Sequence, residues 1–212
     1  MKVSLEDIQN LVRQIERKDL STAAHTWRVV LYTRALTEAA GLPQELISRL
    51  VHAAALHDVG KIDIPDAILQ KPGPLTPEER KVMEHHPALG HRRLLDMGED
   101  DAVILNLVRH HHERVDGRGY PDQLAGDRIP VEARYFSVID SFDALTSLRP
   151  YRETVGEEAA RVAIVELQAG MGTHYDPKCV ELFTRLYEGG SLDWILHYYN
   201  DICEVPDFEM PR

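Results

Sequence analysis

The sequence predicts an all-α fold, and three observations carry that prediction. Apolar residues recur at three- and four-residue spacings along almost the whole chain, and no run alternates apolar and polar residues as a half-buried strand does. Helix start and stop signals punctuate the chain at helix-length intervals. Its 212 residues are enough to bury a full core, and one domain with short appendages is the simplest organisation. Leu5, Ile8, Leu11, Val12 and Ile15 form the stripe of a first amphipathic helix. Val29, Tyr32, Leu36 and Ala39 form a second, stopped by Gly41-Leu42-Pro43, and Leu46, Leu50 and Ala53 begin a third that ends near Gly60. Pro72-Gly73-Pro74 is a turn. Thr76-Pro77-Glu78-Glu79 then couples a capping box to a proline at the first helical position, so a fourth helix starts there. His86 lies in line with Val82 and Met83 on that helix, and Pro87 is expected to break it just afterwards. Asp100 is expected to cap the next helix, which carries Ile104, Leu107 and Val108. Asp116 to Pro121 cannot sustain a helix and must be loop, whereas Pro130, Thr154-Val155-Gly156-Glu157 and Asp176-Pro177 mark three further starts. The expected division is an N-terminal helix over residues 1–18, a main domain over 19–188, and a tail over 189–212 to which the sequence assigns no role.

Charge and composition exclude several classes of function. With 35 acidic against 24 basic residues the formal charge is −11, a field that repels polyanions and argues against a general nucleic-acid binder, though a local Arg/Lys cluster can still hold a small anion. Cys179 and Cys203 are too few for a disulfide framework. No stretch approaches the roughly 18 apolar residues needed to span a bilayer, and Met1 to Asn10 has no secretory signal pattern. A soluble protein of the reducing cytoplasm is expected. The surplus is histidine: eleven, with His85 and His86 paired and His110, His111 and His112 in a row.

His25 shares a helix face with Val29, Tyr32 and Leu36, and by itself it reads as a core histidine. His57 ends the third stripe in the same way, but Asp58 follows directly and sets two metal-competent side chains at one helix terminus. His86 faces inward and His85 does not. In the triplet, His111 continues the stripe of Ile104 and Leu107, His112 flanks it, and His110 points away. Asp140 lies on an apolar background between Phe136 and Ala144, where an unpaired carboxylate is costly to bury. The bland reading requires each of these groups to be satisfied separately by hydrogen bonds, five or six times over. A polynuclear metal site satisfies them together.

The ordered series His25-Thr26-Trp27-Arg28-Val29, His57-Asp58-Val59-Gly60-Lys61, His86-Pro87, His111-His112-Glu113-Arg114, Asp116-Gly117-Arg118-Gly119-Tyr120-Pro121 and Asp140-Ser141-Phe142-Asp143-Ala144-Leu145-Thr146 resembles the HD-GYP family over about residues 19–188. The His-Asp pair alone is shared by many HD-superfamily phosphohydrolases, whereas the Gly-Tyr-Pro segment following His-His-Glu is specific. The resemblance implies an all-helical domain with a centre of two or three metals, often iron or manganese with zinc, nickel or cobalt as substitutes, that hydrolyses cyclic di-GMP to the linear dinucleotide or GMP. Carried over by position, it implies that His25, His57, Asp58 and Asp140 hold one ion and that Asp58 bridges to a second held by His86, His111 and His112. Ser21 stands where three-metal members carry a glutamate, which favours two ions. Lys61 is the candidate to neutralise a phosphate oxygen, and Arg149 and Arg152 resemble the family's phosphate-binding pair. Tyr120 either stacks on guanine or packs its loop. Asp143 either orients the attacking water or caps a ligand histidine's second nitrogen. Hydrolysis of another cyclic dinucleotide or nucleotide, binding without turnover, and oxygen-activating diiron chemistry are the competing functions. The N-terminal helix either dimerises the protein or covers the core.

Overall fold

The computed structural model describes residues 2–18, 20–147 and 157–198, the side chains of 20–23 and 197–198 excepted. Among these it is all-helical: α1 (Leu5–Lys18), α2 (Leu20–Ala39), α3 (Gln44–Leu56), a 3₁₀ turn at Val59–Asp63, α4 (Asp66–Leu69), α5 (Pro77–Met83), α6 (His86–Asp96), α7 (Ala102–His110), a 3₁₀ turn at Gly126–Arg128, α8 (Val131–Thr146), α9 (Glu157–Ala169), α10 (Pro177–Glu188) and α11 (Asp193–Tyr198). The described residues pair as strands only in two isolated bridges, Asp116 with Ala125 and Met171 with Tyr175.

The centre of the bundle is α3 against α2 and α7, with α8 closing over α2 and α7 and carrying α9 and α10 behind it. Tyr32, Phe142 and Phe183 interlock edge to face, with centroids 4.8 to 6.1 Å apart, and tie α2, α8 and α10 into one core. The first stripe is spent inside the chain: Ile8, Leu11, Val12 and Ile15 are buried as α1 packs on α2, α3 and the first 3₁₀ turn. That face therefore covers the core. The described part of the tail, residues 189–198, joins the same core, with Leu192 and Ile195 fully buried in it.

Two expectations about local structure need correcting. Asp101, not Asp100, caps α7: its carboxylate accepts from the Val103 amide and from Arg49, while Asp100 pairs at the surface with Lys2. The fourth helix breaks before His86 rather than after it. Pro87 sits in the first turn of α6, where its missing N–H costs nothing, so His86 opens a new helix. On α3 Leu50 and Ala53 are buried and Leu46 packs against the core as expected, with Ile47 buried beside it. The capping box at Thr76 and Glu79 forms as its sequence dictates.

Gly60 sets the distance between two site-bearing elements. A Cβ there would lie 1.9 Å from the His86 carbonyl oxygen and 2.5 Å from the Gly90 nitrogen, so only glycine lets the first 3₁₀ turn rest on the start of α6.

Candidate metal centre

Two triads of metal-competent side chains meet in the middle of the bundle. His25, His57 and Asp58 form one, His86, His111 and His112 the other, and within each the ligand atoms lie within 4.8 Å of one another. Five of the six residues are at most 7% exposed. Asp58 spans the two: its Oδ2 is 3.1 Å from His57 Nε2 and its Oδ1 is 3.2 Å from His86 Nε2. Asp140, from α8, adds a carboxylate 3.3 Å from His25 Nε2. The ring of Phe136 packs beneath both triads, 4.9 Å from that of His57 and 6.1 Å from that of His111, and gives the centre an apolar floor.

The imidazoles are held from behind. His57 Nδ1–H donates to the Ala54 carbonyl at 2.8 Å, His86 to Met83 at 2.9 Å and His111 to Val108 at 3.0 Å. A carbonyl only accepts, so each Nδ1 carries the proton and each Nε2 turns a lone pair inward. His25 Nδ1 is 2.8 Å from Asp143 Oδ2. Asp143 is fully buried, and its oxygens also take Arg28 Nε–H at 2.6 Å, the Arg28 terminal NH2 at 3.0 Å and the Ser147 hydroxyl at 2.9 Å. The consequence shows at the centre: Nε2 of His25 faces Nε2 of His57, and Nε2 of His86 faces Nε2 of His111, each at 3.3 Å. Between His86 and His111 two inward lone pairs at that distance repel, and a cation between them removes the conflict; between His25 and His57 a proton on His25 Nε2 fills the same place until a cation displaces it.

The charges fit the same occupant. Burial opposes the ionised form of Asp58, but His57, Lys61 and His86 outweigh it and hold the carboxyl well below its ordinary range. Burial likewise opposes the charge of Asp140 and is outweighed by His25, so Asp140 too is ionised. Burial and the neighbouring His112 push His111 down, and burial with His86 takes His112 to about 3, so both are neutral donors. Burial acts against protonated His25, yet Asp140 and Asp143 override it and raise the group to about 9; an incoming cation displaces that proton. Neutral imidazoles with ionised carboxylates are the donor set that borderline divalent transition metals favour.

The remaining expected site residues fall as follows. Lys61, in the first 3₁₀ turn, puts its ammonium 2.6 Å from Asp58 Oδ2. Tyr120 lies with its ring 4.8 Å from that of His112 and tilted by 34°. Asp143 stands on the far edge of the His25 ring from Nε2, so of the two roles open to it the geometry matches the cap on histidine and not contact with a reacting water. Arg149 and Arg152 lie outside the described residues, as does the side chain of Ser21. His85 is exposed on the Lys81 carbonyl, and His110 pairs with Asp122; neither joins a triad.

Two buried polar residues of the quoted motifs have roles that the sequence does not assign. Arg28, 5% exposed, grips Asp143 and Ser147; its sole signal was a position three residues past His25 on the same face. Glu113, 3% exposed, accepts the Asp122 and Leu124 amides at 2.7 and 3.0 Å and so clamps the loop after α7. No pattern in the sequence announces that clamp, because both partners are backbone groups.

Comparison with known proteins bears on the fold and the family. The family model described as HD domain matches residues 9–179. A cyclic di-GMP phosphodiesterase response regulator of Xanthomonas campestris is 42% identical over 182 residues, covering 85% of this chain and 47% of that protein. A cyclic di-GMP phosphodiesterase of Thermotoga maritima is 41% identical, covering 81% and 46%. A 3'3'-cGAMP-specific phosphodiesterase of Vibrio cholerae is 38% identical, covering 88% and 35%. The chain thus spans less than half the length of these curated relatives. Among solved structures, the HD domain of a Listeria monocytogenes phosphodiesterase in complex with cyclic-di-AMP superposes with a TM-score of 0.66 at 15% identity, covering 89% of this chain and 97% of that one. An HDG"Y"P protein of Bdellovibrio bacteriovorus gives 0.63 at 20% identity, covering 78% and 52%. At such identities the superpositions speak for the fold.

Proposed function

The chain belongs to the HD-GYP family of HD-domain proteins, and from that premise we propose that it is a phosphodiesterase opening cyclic di-GMP to the linear dinucleotide or GMP at a dinuclear centre. One observation carries the reading: the Asp58 carboxylate reaches both triads, one oxygen to each, as a bridging ligand must. In this reading His25, His57, Asp58 and Asp140 hold the first ion, and Asp58, His86, His111 and His112 the second. Iron or manganese suits this nitrogen and oxygen set, and zinc, nickel or cobalt can replace them. When bound, paired divalent ions would supply a water of lowered pKa and would offset charge on the phosphoryl group.

The chain's own side chains do the rest. Asp143, braced by Arg28, fixes the tautomer and direction of His25. Phe136 keeps water from beneath the imidazoles. Lys61 stands at the edge of the centre beside Asp58, where its ammonium can neutralise a non-bridging phosphate oxygen. Arg149 and Arg152 follow the helix that supplies Asp140 and are the pair assigned to the dinucleotide's phosphates.

A second reading, hydrolysis of 3'3'-cGAMP, is favoured by a relative named for that substrate at 38% identity. Both are tested by chelating the purified protein, reconstituting it with Fe(II) or Mn(II), and separating the products of each dinucleotide by chromatography. Turnover of cyclic di-GMP that requires about two ions per chain supports the proposal. Undiminished turnover after complete metal removal rejects the dinuclear mechanism, and a strong preference for 3'3'-cGAMP rejects the substrate assignment.

A further inference from the structure

We infer that Tyr120 is the positioning residue of His112: it holds by ring contact the one triad histidine that no hydrogen bond orients. The inference rests on the dinuclear reading above.

His25, His57, His86 and His111 each have a hydrogen-bond partner behind Nδ1. Neither ring nitrogen of His112 has such a partner among the described residues, so packing alone fixes the angle of its ring. His111 lies 4.2 Å away at 44°, His86 5.1 Å away at 83°, and Tyr120 4.8 Å away at 34°. His86 and His111 are triad members themselves and gather on the same point as His112. Tyr120 is the ring in contact that belongs to no triad, and its face, tilted by 34° against the imidazole, limits rotation of His112 about its χ2 axis.

The loop is built to deliver that ring. Gly119 sits where a Cβ would lie 2.4 Å from the Arg114 nitrogen, 2.5 Å from the Glu113 Cα and 2.6 Å from the His112 carbonyl oxygen, so only glycine permits so close a return to the end of α7. The Tyr120 amide donates to that same His112 carbonyl at 3.3 Å. Beyond it, the Glu113 carboxylate holds the amides of Asp122 and Leu124. Three anchors on residues 112–114 thus press Tyr120 against the side chain of His112, and His-His-Glu and Gly-Tyr-Pro work as one device.

Removing a group that orients a ligand typically weakens metal binding by about 10- to 100-fold. The test is a Mn(II) titration of the chelated protein, reading stoichiometry and affinity for wild type, Tyr120→Ala, Tyr120→Phe and Glu113→Gln. Expected are two ions in wild type, one of two weakened by roughly 10- to 100-fold in Tyr120→Ala, and near-complete rescue in Tyr120→Phe, which keeps the ring and loses the hydroxyl. Should Tyr120→Ala fail to fold, Glu113→Gln carries the test, since the clamp then keeps one acceptor of two and the same ion must weaken by less. A wild-type chain that binds no more than one ion overturns the dinuclear reading and this one with it. Two ions of unchanged affinity in Tyr120→Ala, or in Glu113→Gln where it stands in, overturn this one alone. A Tyr120→Phe chain as weak as Tyr120→Ala also overturns it, because the hydroxyl and not the ring then acts.

Discussion

Asp143→Asn separates a positioning role from a merely structural one. The carboxylate takes Arg28 through two bonds of 2.6 and 3.0 Å and His25 through one of 2.8 Å. An asparagine turned so that its oxygen serves Arg28 presents its NH2 to His25 Nδ1. That nitrogen must then accept, which moves the ring proton to Nε2 and blocks the atom meant for the metal. The first ion should therefore bind about 10- to 100-fold more weakly, with the triad of His86, His111 and His112 unaffected. Stability should fall as well, most clearly in Asp143→Ala, where the buried Arg28 loses the Asp143 carboxylate. Breaking a buried pair costs about 3 to 5 kcal/mol, and the Ser147 hydroxyl, 2.6 Å from Arg28, keeps the loss near the lower figure. At roughly 2 to 4 °C per kcal/mol for a domain of this size, about 3 kcal/mol lowers Tm by about 6 to 12 °C. Metal titration and thermal unfolding of the metal-free protein measure the two effects. An Asp143→Asn chain that binds the first ion as wild type does would refute the tautomer argument whatever its Tm.

Asp58→Ala should lose both ions in elemental analysis, since one carboxylate serves both triads, whereas His85→Ala and His110→Ala should retain them; equal loss in all three would mean the inward faces are assigned wrongly. Arg149→Ala and Arg152→Ala should each lower kcat/KM by roughly ten- to hundred-fold at full metal occupancy, the worth of a charge-assisted phosphate contact of about 1.5 to 3 kcal/mol, and wild-type efficiency in both would dismiss the pair. Lys61→Ala should fall mainly on kcat, because charge on the reacting phosphate grows in the transition state; a change in KM alone would place Lys61 in simple binding. Gly60→Ala should impair folding or metal uptake, as its methyl meets backbone at 1.9 Å and not a side chain that can swing away; wild-type Tm and metal content would show that the turn can move off α6.

What could be read from the sequence divides along physical lines. Helical faces follow from periodicity, so the inward direction of His25 and His111 and the outward direction of His110 were legible one residue at a time. The capping box at Thr76 was legible because its partners lie three residues apart. The bond from Arg28 to Asp143 joins residues 115 positions apart, and no local pattern encodes it. Pro87 misled because proline both ends helices and opens them, and the choice depends on α6 packing against the first 3₁₀ turn through Gly60 and Gly90. The tail was opaque because its described residues bury only two side chains, Leu192 and Ile195, too few to show a period.

The triads also show why helix ends supply most of the ligands. Neighbours on a regular helix diverge by about 100°, so His57-Asp58 and His111-His112 cannot aim both members at one centre from within one. Each pair instead sits where its helix stops: His57 caps α3, Asp58 has already left helical geometry at φ −94° and ψ 9°, and His111 caps α7. The last carbonyls of a helix lack the amide partners of a continuing helix, and the ligand rings use them, His111 on Val108, His86 on Met83 at the end of α5, and His57 on Ala54, which otherwise takes only the long 3.5 Å bond from the His57 amide. A single bond thus satisfies a terminal carbonyl and fixes an imidazole with its lone pair inward. The C-terminal ends of α3 and α7 carry roughly half a negative charge each, so the two helices that deliver these pairs also favour the cations proposed to bind between them.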